Sequence, residues 1–520
     1  MQHIILLPWR IIQGFIDKTG MYRIVTIALL ILTALSVLLG FLGLLPYSGV
    51  EQLISLSAVV LVSFVTNILF ARFWRVSANH ESALITALIL FFLIIPARLV
   101  DFTDQWIIAS VAVLAIASKF LIVRNKQHIV NPAAFGVLIF WSICAFFPGI
   151  DNFEAIWWAG TPVLFIPLLI LGGLVVMKVR RWSLVLSFLS VGFVVFLLEA
   201  WGFGLDLSKE ASRYFLSGPS LFLAFFMLTE PFTTPPTKKL QMTYGAFVGF
   251  ISQTTIFMPY FVASSEIALI IGNLIFYPTT LRRKLILPLE SFRKIADSTY
   301  EFIFQKPQGL SFKAGQYLEW MLHHDESDSR GVRRYFTIAS SPTEPTLRVA
   351  MKIPKEKGST YKKKMLSMKV GDTIIASQLA GDFLLPKDVE KKLGFIAGGI
   401  GITPFRSHLK YMVDSGNIHD TVLFCSNNTH DEISYSDFFE VVKTQMPLQI
   451  VQVISKEELG GEYETGFITE EILRRRVPDF AERYWYLSGP PGMVNAYSKL
   501  LSKLNVPTSH IIKDYFPGLA

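Results

Sequence analysis

Four short motifs in the second half of this 520-residue chain carry residue types suited to a phosphate-bearing, redox-active group. Arg334-Tyr335-Phe336-Thr337 sets a cation, two aromatics and a hydroxyl on one short segment, with Ser340 and Ser341 close behind. An arginine there can neutralise a pyrophosphate, an aromatic can pack on a flavin ring, and a hydroxyl can hydrogen-bond the ring's reactive nitrogen. Gly358-Ser359-Thr360 precedes the run Lys362-Lys363-Lys364. Amides and hydroxyls at a helix start suit a diphosphate, although a lysine run is equally the mark of a solvated face. Leu393 to Ala397 forms an apolar run that meets Gly398-Gly399-Ile400-Gly401-Ile402-Thr403-Pro404. Strand, close-approach turn and helix entrance in that order are what a nucleotide phosphate needs. Finally, Trp485-Tyr486-Leu487-Ser488 runs into Gly489-Pro490-Pro491-Gly492-Met493, a second strand ended by a Gly-Pro turn. Thr337 and Ser488 are the candidate catalytic hydroxyls; the other positions are candidates for binding.

Two kinds of element must hold these motifs. Residues 291–388 alternate as in a small antiparallel barrel, for example Tyr300 to Phe304 and Thr346 to Ala350. From 389 on, apolar strands alternate with helical stretches, as in a parallel α/β domain. The first part of the chain is different. It concentrates the 52% hydrophobic content in ten stretches of membrane length, at about 23–46, 53–74, 81–97, 104–123, 132–149, 157–179, 182–202, 215–232, 240–261 and 265–281. The expected fold is therefore a ten-helix membrane domain over 1–285, an antiparallel β-barrel domain over 286–388 and an α/β domain with a parallel sheet over 389–520.

Charge gives this plan a direction. Of the net +8, the first 285 residues supply 19 basic against 12 acidic residues, so the basic excess belongs to a membrane surface and not to a nucleic-acid partner. With the N-terminus inside, 16 of those cations fall on the inner side and three (Arg98, Lys209 and Arg213) outside. Lysine and arginine resist translocation, which favours an even helix count, both termini cytoplasmic, and a multi-pass protein of the inner membrane. Arg282-Arg283-Lys284 would anchor the last helix, and Leu285 to Glu290 would be a linker short enough to hold the soluble half at the cytoplasmic face. The N-terminal stretch has no cleavage site for a signal peptide. Two cysteines, Cys144 and Cys425, exclude a disulfide framework and a four-thiolate iron–sulfur cluster. The nine histidines all read as lying outside helix interiors, which excludes haem held by paired membrane histidines. No metal site is expected.

Three polar interruptions mark the membrane half. His128-Ile129-Val130-Asn131-Pro132 opens a helix, Ser217-Gly218-Pro219-Ser220 stands at a helix entrance, and Thr229-Glu230-Pro231-Phe232-Thr233-Thr234-Pro235 closes a helix. Each alone is explained as a helix end whose freed backbone groups need hydroxyls. Together they resemble the flavin-carrying membrane proteins of the Na⁺-translocating NADH:quinone reductase and of the Rnf complex, which pair an Asn-Pro-Ala motif with a Thr-Asp-Pro-hydroxyl motif. The chain has Glu230 where that family usually has Asp, and it lacks the Ser-Gly-Ala-Thr segment that carries covalent FMN. The resemblance implies a second, non-covalent flavin (FMN or riboflavin) near Asn131, Glu230, Thr233 and Thr234. An internal echo, LFFLIIPA at 90–97 and AFFMLTEP at 224–231, would make two inverted halves of five helices; chance similarity of two Phe/Leu-rich helices explains it equally well.

Over about 291–520 the order of motifs looks like the ferredoxin–NADP⁺ reductase family. That resemblance implies that Arg334, Tyr335, Phe336, Thr337, Ser359 and Thr360 bind FAD. Gly398, Gly399, Gly401, Thr403, Pro404, Gly489, Pro490 and Met493 would bind NADH or NADPH, with Ser488 on the nicotinamide side and Phe516 covering the flavin. The strand ending at Ser426-Asn427-Asn428 has no arginine after Ser426 for a 2′-phosphate, which leans toward NADH. The expected activity is an NAD(P)H-dependent oxidoreductase that passes electrons through FAD to a membrane flavin and on to a quinone or an extracytosolic redox acceptor protein. Two alternatives are an NADH:quinone reductase whose electrons never cross the bilayer, and a flavin or small-molecule transporter with a regulatory reductase domain.

Overall fold

The computed structural model describes residues 19–76, 78–97, 102–124, 127–147, 153–254, 264–279, 284–324, 328, 331–354 and 358–515. The chain divides into two compact units, Met1–Arg282 and Arg283–Ala520.

The first unit is helical: α1 Met21–Phe41, α2 Gly49–Phe73, α3 His80–Leu93, α4 Phe102–Leu121, α5 Pro132–Phe146, α6 Phe165–Val179, α7 Trp182–Gly202, α8 Leu207–Leu216, α9 Lys238–Gln253 and α10 Ser265–Phe276. Local chemistry sets several of these starts. Ser48 and Glu51 close a reciprocal capping box at α2. Asn131 caps α5, whose first residue, Pro132, lacks an N–H that a helix start could not use. Among the described residues five helical segments are long and apolar enough to cross a membrane: Met21–Phe41, Gly49–Phe73, Thr103–Leu121, Pro162–Val179 and Trp182–Gly202. The unit is thus that of a multi-pass membrane protein, and among the described residues five of the ten expected stretches reach that length.

α3 and α5 are apolar but shorter. α3 stops where Ile94 turns extended, and the Trp158 indole donates to the freed Phe91 carbonyl at 2.7 Å. The expected helix over 215–232 is also corrected. α8, an amphipathic helix capped by Asp206, ends at Ser217, and after Gly218 and Pro219 the chain makes only the turn Ser220–Phe222 and a π-helical turn, Leu223–Met227. Hydropathy is continuous across this break. The backbone is not, because a Pro inside a helix removes a donor and clashes with the preceding turn. Phe92 of the first echo segment packs against Phe222, two residues before the second, with the rings 5.5 Å apart.

The second unit holds two six-stranded sheets. The first is antiparallel, from β1 Leu285–Ala296, β2 Thr299–Gln305, β3 Tyr317–Met321, β4 Arg333–Thr337, β5 Thr346–Lys352 and β6 Thr373–Ala380, in the order β4-β3-β6-β1-β2-β5. Its two end strands meet beyond β4, where the Ala339 amide donates to the Arg348 carbonyl at 2.8 Å. The expected linker over 285–290 is instead the start of β1. Leu285, Leu287 and Leu289 are buried while Ile286 is 65% exposed, an alternation that only a strand satisfies.

The second sheet is parallel, from β7 Leu393–Gly398, β8 Thr421–Asn427, β9 Leu448–Ile454, β10 Glu464–Thr465, β11 Tyr484–Gly489 and β12 Ile511–Tyr515, in the order β10-β9-β8-β7-β11-β12. Its helices are α12 Thr403–Ser415, α13 Ser436–Lys443, α14 Glu470–Arg476 and α15 Pro491–Lys503, and α11 Thr360–Leu366 belongs with the antiparallel sheet. One histidine departs from the sequence reading. His408 lies inside α12, fully buried and stacked on Phe383; burial holds its imidazole down to about 4.

Candidate active site

β7 and β11 are about ninety residues apart in sequence and adjacent in the sheet, with Ser488 in register with Ala397. The strand order reverses between them, which is where parallel sheets open a crevice for ligands at the carboxyl ends of their strands. Both glycine-bearing turns lie at that point. A Cβ on Gly401 would stand 2.2 Å from the Ser488 carbonyl oxygen, and one on Gly398 would stand 2.3 Å from the Met493 sulfur and 3.0 Å from Pro490. No side chain fits at Gly401, where the neighbour is backbone, and one at Gly398 would have to displace the end of Met493. Gly399 and Gly489 have φ of +52° and +153°, backbone that favours glycine. Pro404 is the second residue of α12, and the Thr403 hydroxyl donates to the Ile400 carbonyl at 3.2 Å, so Thr403 serves the turn itself. The Ser488 hydroxyl is buried without a hydrogen-bond partner.

On the antiparallel sheet, the Thr337 hydroxyl is also buried without a partner. Arg334 donates to Asp328 Oδ1 at 3.0 Å and to the Gly331 carbonyl at 2.8 Å, with its guanidinium over the Tyr361 ring. Phe336 lies 5.9 Å from the same ring. Tyr335 is exposed and donates to Glu319 at 3.3 Å. Ser359 caps α11 by accepting from the Lys362 amide. The Thr360 hydroxyl accepts from the Asp328 amide at 3.1 Å. Asp328 thereby joins the Arg334 motif to the Ser359-Thr360 motif, a link the sequence does not signal. Phe516 lies outside the described residues.

These surroundings fit a flavin and a nicotinamide nucleotide. An unpartnered buried hydroxyl costs about 1–3 kcal/mol, and each sheet holds one next to its motif. The glycine cradle leaves backbone where a phosphate approaches.

The two sheets are tied by charges that the sequence reading did not single out. Arg406, buried in α12, donates to both oxygens of Glu344 at 2.8 and 3.0 Å and to the Ala339 carbonyl at 2.8 Å. Ser407 donates to the Ser340 carbonyl at 2.7 Å, and the Tyr435 hydroxyl to the fully buried Glu301 at 3.0 Å. Burial opposes ionisation of Glu344, yet Arg406, the Ser341 amide and Arg348 outweigh it and hold the carboxyl below its ordinary value. Arg406 two residues after Thr403-Pro404 was the available signal, a cation on a helix face that otherwise packs.

In the membrane unit the structure brings the separated polar motifs together. Glu230 Oε1 lies 2.5 Å from His128 Nε2, and Oε2 accepts from Asn131 Nδ2 at 2.9 Å. The Asn131 amide donates to Asn273 on α10 at 2.8 Å. Thr233 and Thr234 turn their hydroxyls to the Glu230 carbonyl. A cavity of about 50 Å³ adjoins the cluster, lined by Ser82, Lys119, Asn131, Phe226, Thr229 and Glu230 among others. A flavin ring does not fit it, since pockets for ligands of that size run to about 300–1,000 Å³.

The sheets and their glycine turns define a two-lobed flavin and nicotinamide-nucleotide oxidoreductase unit, carried on a membrane unit. Residues 395–499 match the oxidoreductase NAD-binding domain, and residues 153–279 match the NQR2, RnfD, RnfE family. The chain is 26% identical over 224 residues to the glycine betaine monooxygenase reductase subunit of Chromohalobacter salexigens, covering 42% of this chain and 60% of that one. It is 28% identical over 222 residues to the propane 2-monooxygenase reductase component of Rhodococcus jostii, covering 41% and 58%. A solved Amycolatopsis cytochrome P450 reductase aligns with a TM-score of 0.40 at 22% identity, over 45% of this chain and 71% of that one. The chain spans about three fifths of the length of the first two relatives.

Proposed function

We propose that the chain is an NAD(P)H-dependent flavin oxidoreductase that delivers electrons from a cytoplasmic nucleotide to an acceptor met by its membrane unit. The observation that carries this reading is the pair of partnerless buried hydroxyls, Thr337 and Ser488, one beside each nucleotide motif. Bound FAD would supply the chemistry, taking a hydride and releasing its electrons one at a time. Gly398 and Gly401 admit the dinucleotide to the crevice, and Ser488 meets the nicotinamide side. Thr337 offers its hydroxyl to the flavin, Phe336 flanks it, and Arg334 with Ser359 and Thr360 holds its diphosphate. The strand end Ser426-Asn427-Asn428 favours NADH over NADPH, because it offers no arginine to a 2′-phosphate.

The acceptor is a quinone or a redox protein on the far side. The cavity beside Asn131 and Glu230, about 50 Å³, is too small for a second flavin ring. The full-length protein in sealed vesicles, reductase side outward, tests the reading. Oxidation of external NADH should reduce an impermeant acceptor trapped inside. Fast reduction of quinone with no transfer to the trapped acceptor would leave a quinone reductase whose electrons stay on one side. A protein that binds no FAD would end both.

A further inference from the structure

Glu230 lies at the meeting of five chain segments. His128 comes from the turn after α4, Asn131 from the start of α5, Lys119 from the last turn of α4, and Ser82 from the first turn of α3. Arg181, between α6 and α7, donates to the Glu230 carbonyl at 3.4 Å. Ionisable groups inside a membrane unit are costly and serve transport or chemistry unless they only pair. The arrangement here is more than a pair. Lys119 Nζ donates to the Ser82 carbonyl at 2.7 Å and to its hydroxyl at 2.9 Å. Two of the three donors of an ammonium are thereby used, and Lys119 also lines the cavity onto which Glu230 opens. Asn131 and His128 each take one Glu230 oxygen, which leaves lone pairs on both for the cavity. Its roughly 50 Å³ admits a few water molecules between a carboxylate and an ammonium. On the other side, His128 ends a two-strand turn whose Val123 and Arg124 are exposed.

We propose that His128, Glu230 and Lys119 form a proton-transfer site that links the water at the Val123–His128 turn to the water-sized cavity. The single proton between the His128 imidazole and the Glu230 carboxylate moves to whichever side is short of one. The imidazole takes a proton at Nδ1 from water at the turn, leaving hydroxide there, and as imidazolium gives its Nε2 proton to the carboxylate, so that it ends neutral. The carboxylic acid then gives its proton to water in the cavity and returns to carboxylate. Among the described residues, Lys119, Arg181 and Tyr22 are the other charged or titratable groups facing the pair, and the two cations balance the carboxylate in its ionised form. This rests on the proposed function in one respect, the use of the proton. Reduction of a quinone takes two electrons and two protons, so Q + 2e⁻ + 2H⁺ gives QH₂; NADH → NAD⁺ + H⁺ + 2e⁻ supplies the electrons and releases its proton to water at the nucleotide site, and the site at Glu230 supplies the two protons of QH₂ from water.

The test uses the full-length protein in detergent, with flavin content and unfolding midpoint as checks on folding. Glu230→Gln should slow NADH-driven quinone reduction about 100-fold, the size of a lost proton-transfer group. Added imidazole or formate should restore much of the rate, and Glu230→Asp should retain more than Glu230→Gln. A purely structural role would give no rescue by a weak acid, and that result overturns the proposal, as does an unchanged rate in Glu230→Gln. Infrared difference spectra against pH read the site without any acceptor. The wild type should show a protonated-carboxyl band that titrates, shifts in D₂O, disappears in Glu230→Gln and changes frequency in His128→Gln and Lys119→Met. If the wild type reduces no quinone but shows this band, the reading of the acceptor fails and the site stands. If no such band titrates, the site fails whatever the acceptor.

Discussion

Gly401 is pressed against the backbone of Ser488: a Cβ added to the one would fall 2.2 Å from the carbonyl oxygen of the other. Neither side can yield, because Ser488 is held in the sheet by β7 on one flank and β12 on the other. Gly401→Ala should therefore destabilise the second unit by about 1–3 kcal/mol through overpacking. It should also raise KM for NADH more than it lowers kcat. Thermal unfolding and steady-state kinetics with an artificial acceptor check both.

Thr337→Val separates stability from function. The hydroxyl has no partner in the protein, so replacing it by a methyl should leave the flavin-free protein as stable or up to about 1 kcal/mol more stable. The rate of flavin reduction by NADH should fall all the same. A stopped-flow rate equal to the wild type would remove Thr337 from the site.

Arg334→Ala should empty the flavin site. Asp328 loses its 3.0 Å partner and a diphosphate would lose its cation, at a cost of about 3–5 kcal/mol. Absorbance at the flavin band in the purified variant, set against protein concentration, measures the occupancy.

Acid should weaken the second unit in two ways that share a sign. The folded-state values of His408 and Glu344 both lie below their ordinary ones, so the unfolded chain binds more protons than the folded one as pH falls. His408 contributes stability above about 6.5 that is lost as pH drops toward 4, and Glu344 contributes stability above 4.5 that is lost below it. The unfolding midpoint, followed by flavin fluorescence, should decline from neutral pH downward. Glu344→Gln should flatten the lower part of the decline and cost about 3–5 kcal/mol at neutral pH by leaving Arg406 buried without its charge partner.

The glycine turns were legible in the sequence because each is a local demand: an apolar run must stop, and a backbone must come close. The parallel and antiparallel sheets were legible for a similar reason, since alternation and run length are properties of a few residues. The helix over 215–232 was misread because hydropathy averages over Gly218 and Pro219, whereas the backbone does not. Leu285 to Glu290 were misread because a basic triplet before a short polar-ended stretch looks like a linker until β6 is there to pair with it. The Asp328 bridge and the Arg406, Glu344 and Glu301 ties were hidden for a deeper reason. They join residues tens to more than a hundred positions apart, and no local pattern encodes a partner at that distance.

Those ties limit how the second unit can be altered. Arg406 reaches from the nucleotide-side helix to Glu344, to Glu301 and to the Ala339 carbonyl, and Tyr435 reaches to Glu301, so four side chains from the two lobes make one linked network. The two lobes are not interchangeable parts. A chimaera that takes its antiparallel lobe from another reductase would set Arg406 and Tyr435 against a surface without their carboxylates. Grafting succeeds only if Glu301, Glu344, Arg406 and Tyr435 are transplanted as a set, so a lineage of such proteins would be expected to exchange the second unit whole.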